Sequence, residues 1–235
     1  MKSPESIYKE LVSYSKNQDR YIDLQRLLMR FGIECFYRRL EKSPFRTQFV
    51  LKGAMLLAVL LQQARNTKDA DFQVSGRFSP GTLKKLFAEI CSIEESDGTV
   101  FNLNGITVKE AGKNRGYIGY IVKIPATLAS ATISLQFDVG FGEIITPGPI
   151  LTKIPTLLGF RDPVIQRYPL STVFAEKFEA LVDLGMRNGR MKDFYDLATF
   201  TVELKFDGAE LSKALENTFS APQDAATNRT TSRLD

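Results

Sequence analysis

The chain has 235 residues, 43% of them hydrophobic and 25% charged, enough to bury a sizeable core in one large domain or two small ones. It contains no histidine, which excludes Ser-His-Asp and Cys-His catalysis and leaves carboxylates as the metal ligands, the donors that suit Mg²⁺ or Mn²⁺ beside substrate phosphates. A formal net charge of +4 permits a nucleic-acid partner without arguing for one. No apolar run is long enough to span a bilayer and MKSPESIYKE lacks the apolar stretch of a secretory signal, so the sequence reads as cytoplasmic with no membrane partner. Cys35 and Cys91 fall inside helical apolar patterns and read as buried free thiols.

Ser3 as N-cap and Pro4 at the first helical position predict a helix to about residue 14. A longer helix follows, with Leu24, Leu27, Leu28, Phe31 and Cys35 at three- and four-residue steps. Arg26, Arg30, Arg38 and Arg39 lie largely off that stripe and read first as a solvated helix face, with a nucleic-acid-facing surface as the alternative. Residues 47–51 form a short buried strand, and after Lys52 and Gly53 the chain becomes an apolar helix over 54–63. In RNTKDADFQVSG, Ala70, Phe72 and Val74 alternate with Asp69, Asp71 and Gln73, the period of a strand buried on one side. Ser79 and Pro80 then open an amphipathic helix to about residue 93.

Residues 99–158 are rich in β-branched and aromatic side chains, with turn signals at Asn104-Gly105 and Lys113-Asn114, and read as antiparallel strands. Beyond Pro169 the pattern turns helical, over about 171–185, 192–204 and 209–219, and the last residues, 221–235, are polar and without period. The fold class is therefore α+β. The predicted division is a core with N-terminal helices over 1–160, a helical C-terminal subdomain over 161–220 and an unstructured tail.

Side chains alternate across a strand, so Asp69 and Asp71 share a face. In TISLQFDVG the apolar row is Ile133, Leu135, Phe137 and Val139, which leaves Asp138 on the other face. If the two strands are neighbours, three carboxylates converge, and their repulsion is relieved by divalent metal. The strand-to-helix switch at Gly53 offers free N–H groups and a helix dipole to a triphosphate, with Ala54 next in the turn. Lys52 adjoins that turn and either assists there or points to solvent. On helical wheels Lys177 falls inside the buried arc of Val173, Phe174, Phe178, Leu181 and Leu184, with Glu176, Glu179 and Asp183 on the wet side. Asp193 lies on the stripe of Leu197, Phe200 and Leu204, with Asp196 at its margin. Buried charges need partners, so Lys177 and Asp193 meet each other, a ligand or a metal-bound phosphate, as a structural pair or as a catalytic one.

FVLKGAMLL, RNTKDADFQ, LQFDVGFGE, AEKFEAL and GRMKDFYDL, in this order, resemble the AbiEii-type toxin family of minimal nucleotidyltransferases. The family turn carries a second glycine or a serine where Ala54 stands. The resemblance implies a nucleotidyltransferase-like mixed sheet with an acidic face. It gives Gly53 the phosphate-loop role, Asp69 and Asp71 the metal ligands, Lys177 the catalytic lysine and Asp193 the catalytic aspartate. Asp138 as third metal ligand rests on the strand pattern. The resemblance further implies nucleotide transfer from a nucleoside triphosphate onto RNA, with the tRNA acceptor end as target, and a separately encoded antitoxin without a required stable contact. A small-molecule or protein hydroxyl as acceptor, or a binding module without catalysis, are the competing readings. An RNA acceptor predicts a basic surface beside the acidic cleft, from Arg187, Arg190, Lys192 and the second helix.

Overall fold

Two runs of alternating apolar residues, 119–128 and 131–141, make the longest hairpin of the molecule, and the rest of the sheet is laid against it. The computed structural model describes residues 2–16, 22–60, 69–76, 78–111, 119–142, 144–184 and 191–220. In chain order the elements are α1 (Pro4–Lys16), α2 (Leu24–Lys42), β1 (Phe49–Lys52), α3 (Gly53–Leu60), β2 (Ala70–Val74), α4 (Pro80–Cys91), β3 (Thr99–Phe101), β4 (Thr107–Glu110), β5 (Gly119–Leu128), β6 (Ala131–Phe141), β7 (Ile150–Lys153), β8 (Val164–Arg167), α5 (Leu170–Leu184), α6 (Met191–Glu203) and α7 (Gly208–Ser220). The strands form one mixed sheet in the order β3-β5-β6-β2-β1-β8-β7, with β4 also on β5. Its last strand, β8, follows residue 160 and runs parallel to β1, so the sheet continues past the predicted end of the core. The predicted helix end at 61–63, the Lys113-Asn114 turn and the tail 221–235 lie outside the described residues.

Within 99–158 the pairs β3–β5, β4–β5 and β5–β6 are antiparallel as expected, whereas β7 lies at the far end of the sheet on β8 and β6 pairs parallel with β2 on its other edge. Asn104-Gly105 makes no hairpin. β3 and β4 both pair antiparallel with β5, at Leu128 to Ala126 and at Lys123 to Tyr120, so they follow each other along one edge. A short 3-10 turn, Leu103–Gly105, joins them, and the Asn102 carboxamide accepts from Gly105 N–H at 3.1 Å.

One face of the sheet is dry. Ala70, Phe72 and Val74 of β2 and Leu135, Phe137 and Val139 of β6 are buried on it. Phe36 of α2 packs 4.5 Å from Phe137 and 5.4 Å from Phe87 of α4, ring centroid to ring centroid, an aromatic cluster that fixes both helices on this face. Among the described residues no helix is long and apolar enough to cross a membrane.

The reading of α2 as half solvated is corrected by the structure. Residues 31–40 are buried on every side, Arg38 and Arg39 included, at 2% and 3% exposure. The sheet covers one side of the helix and the segments carrying Asp97 and Phe160 cover the others. Asp97 accepts from Arg39 at 2.7 and 3.2 Å and from Arg38 at 3.2 Å. The guanidinium planes lie over aromatic rings, Arg38 5.0 Å from the Phe160 centroid and Arg39 4.8 Å from that of Phe101. A solvated arginine face and a buried arginine pair share one sequence pattern, because the partner is 58 residues away. Asp97→Ala strands two buried cations and should cost about 3–5 kcal/mol, read as a lower urea midpoint at unchanged slope.

Candidate active site

β2 is held on both edges, and this registers its acidic residues against their neighbours. Asp71 stands opposite Lys52 of β1 on one side and opposite Asp138 of β6 on the other. Pairing in register puts Asp71 and Asp138 on the same face, away from the Phe72 and Phe137 row. Asp69 lies two residues before Asp71 and is half buried. Strand parity and one parallel pairing thus bring Asp71 and Asp138 onto one face, and Asp69, just before β2, lies close enough for its charge to act on both.

Burial and the neighbouring charges raise the carboxyls of Asp71 and Asp138. Burial first, then the charges of Asp69 and Asp138, push the Asp71 carboxyl from 3.8 to about 7, against the pull of Lys52 and a hydrogen bond from Ala54 N–H. Asp138 is also raised by burial, opposed by the Gln136 amide that donates to its Oδ1 at 3.0 Å, and raised further by Asp69.

Gly53 opens α3 with φ of 67°, a left-handed conformation that glycine adopts without steric cost. The space is as restrictive as the dihedral. A Cβ at residue 53 would stand 1.9 Å from Asp71 Oδ2, so the absent side chain is what lets the carboxylate reach the helix start. Asp71 therefore caps α3 from the neighbouring strand, and the Gly53-Ala54 turn and the acidic strand are one unit.

Lys52 does not extend into water. Its side chain is 18% exposed, its ammonium lies 3.5 Å from Glu176 Oε2 and 5.4 Å from the Tyr168 ring centroid. Glu176, read from the sequence as wet, is half buried at this contact. The wheel of α5 is displaced accordingly. Val173 is buried as expected, whereas Phe178 is 39% exposed and packs against the rings of Phe174 and Phe219, each 6.1 Å away.

Lys177 and Asp193 meet. The ammonium lies 2.8 Å from Asp193 Oδ1 and equally 2.8 Å from Asp196 Oδ2. Asp196 is 3% exposed, more deeply buried than Asp193, and helical spacing had placed it at the margin. Residues three apart share a helix face, so the i, i+3 relation of Asp193 and Asp196 was the signal that finds it. Among the described residues these two aspartates are the ion-pair partners of Lys177, and the link from α5 to the acidic strands runs through Lys52 and Glu176. Arg187 and Arg190 and the Lys192 side chain lie outside the described residues.

The donor set fits a hard divalent cation, since oxygen ligands crowd one face and repel each other. Among the described residues no group of three His, Cys, Asp or Glu side chains is arranged to hold a metal as it stands. Asp71 faces Ala54 N–H and Asp138 faces Gln136, so either would have to give up a protein hydrogen-bond partner to ligate a cation.

The fold is similar to that of solved nucleotidyltransferase structures. MenT4, a nucleotidyltransferase toxin from Mycobacterium tuberculosis H37Rv, superposes with a TM-score of 0.59 at 16% identity, over 92% of this chain and 69% of that one. An assigned nucleotidyltransferase from H. pylori superposes with a TM-score of 0.51 at 16% identity, over 84% of this chain and 77% of that one. No curated protein sequence matches the chain. The family model of the AbiEii nucleotidyltransferase toxin of type IV toxin–antitoxin systems matches residues 35–234, and the chain belongs to that family. It is a toxin nucleotidyltransferase of the AbiEii type, and the family implies a nucleoside triphosphate substrate and an antitoxin.

Proposed function

We propose that the chain transfers a nucleotide from a nucleoside triphosphate to RNA at the tRNA 3′ acceptor end, which blocks translation. The observation that carries the chemistry is the register of Asp71 against Asp138 on adjacent parallel strands, with Asp69 beside them and Lys52 across. The RNA acceptor draws on the family, and a net charge of +4 is compatible with it.

Lys52 and the Gly53-Ala54 turn receive the triphosphate, whose oxygens take the N–H group that Asp71 now occupies. Asp69, Asp71 and Asp138 would hold Mg²⁺ or Mn²⁺, which when bound neutralises phosphate charge and polarises the phosphoryl group. The acceptor hydroxyl oxygen forms a bond to the α-phosphorus, the bond from that phosphorus to the β-phosphate oxygen breaks, and pyrophosphate leaves. Asp138, the carboxylate nearest the acceptor in this reading, takes the hydroxyl proton. Lys177 stabilises charge on the transferring and departing phosphates, and Asp193 orients it.

The test is incubation of the purified protein with Mg²⁺, each α-³²P-labelled nucleoside triphosphate and total RNA, followed by a denaturing gel. Label on tRNA-sized bands, lost with a chelator, is the expected result. Label on no RNA with any of the triphosphates overturns the RNA acceptor and moves the hydroxyl to a small molecule or a protein.

A further inference from the structure

A lysine that ends a strand ordinarily extends into water, and Lys52 is instead held from two sides. Its ammonium rests over the Tyr168 ring and beside Glu176 Oε2. The ring is itself fixed, since Tyr168 is fully buried and its N–H donates to Leu51 O at 2.9 Å, one residue before Lys52. Across the sheet Lys52 stands in register with Asp71, whose carboxyl feels its charge.

The long flexible stem of a lysine leaves its ammonium free to follow the strongest nearby charge. With Asp71 alone, that charge is the acidic strand, and the ammonium collapses onto a carboxylate. Glu176 supplies a second carboxylate on the opposite flank. It lies one residue before Lys177, and the 100° between successive helical side chains sends Glu176 to β1 and Lys177 to α6. One turn of α5 thus reaches both cations of the site.

We propose that Glu176 is a positioning residue: it suspends the Lys52 ammonium between α5 and the acidic strand, at the mouth of the Gly53 turn, where Lys52 meets the triphosphate. The inference rests on the reading of Lys52, Gly53 and Ala54 as the triphosphate cradle. It makes Glu176 act through Lys52 and on nucleotide binding, with little effect on the chemical step.

The experiment is a double-mutant cycle on the full chain, with wild type, Glu176→Gln, Lys52→Met and the double variant titrated calorimetrically with ATP, GTP, CTP and UTP in Mg²⁺. Melting curves establish that each variant is folded, and Glu176→Asp, with a shorter arm, serves as a second variant. Glu176→Gln should weaken binding of the preferred triphosphate about tenfold, with kcat for transfer held within about twofold. The double variant should bind no more weakly than Lys52→Met alone, and Glu176→Asp should fall between Gln and wild type. Unchanged affinity in Glu176→Gln, losses that multiply in the double variant, or a fall confined to kcat each overturns the inference while leaving the cradle in place. A wild-type chain that binds none of the triphosphates overturns the cradle and the inference together.

Discussion

An Asp71→Asn protein should melt higher than the wild type at pH 8 in the presence of a chelator, and yet transfer nucleotide about 10³-fold more slowly. The stability half follows from the carboxyl's displacement from 3.8 to about 7, caused by burial and then by Asp69 and Asp138. A raised carboxyl pKa means that the folded chain holds the proton more tightly than the unfolded chain between those values. The favourable contribution is complete below pH 3.8 and is lost as pH rises to about 7, so at pH 8 the wild type carries the whole cost of the buried charge. The shift bounds that cost at about 4 kcal/mol, and relaxation of the site brings the expected gain to the order of 1–3 kcal/mol. Melting curves from pH 4 to pH 9 check it: the difference between variant and wild type should widen with pH and level off above pH 7. A constant difference would mean that the crowded carboxylates impose no cost. Added Mg²⁺ should raise the wild-type midpoint and leave Asp71→Asn nearly unmoved, which ties the strained group to the cation it is proposed to hold.

That strain was legible in the sequence because strand parity is a strict rule. Asp71 and Asp138 needed only the alternation of their neighbours and one parallel pairing, and β2 and β6 supply it. The Gly53 turn was legible for the same local reason, a strand that becomes a helix within one residue. Helical wheels carried less. They brought Lys177 and Asp193 together, but a wheel describes a helix packed on one side, and α5 meets Lys52 at Glu176 as well as α6 at Lys177. Glu176 therefore read as wet and Phe178 as buried. α2 failed more completely, because a helix buried all round shows the same arginines as a solvated one, and only the fold reveals Asp97 beside them. Contacts made across long separations leave no period in the sequence to read.

Lys177→Met should lower transfer by about 10²–10⁴-fold, and it should also destabilise the chain by about 3–5 kcal/mol. Both effects come from one ammonium with two carboxylates at 2.8 Å. Asp196 is 3% exposed, so removing the lysine takes from its buried charge a cation that lay 2.8 Å away. A loss of activity alone would therefore be ambiguous between chemistry and folding, and the second substitution resolves it. Lys177→Met with Asp196→Asn removes the lysine together with the charge that most needs it, which should return most of the lost stability in chemical denaturation. Transfer should stay as low as in the single variant, because the asparagine repairs burial and supplies no positive charge to the phosphates. If the double variant regains wild-type turnover, Lys177 is a structural cation and the chemistry lies with the acidic strands alone. If it regains stability and remains inactive, the same lysine holds α5 to α6 and acts on the substrate.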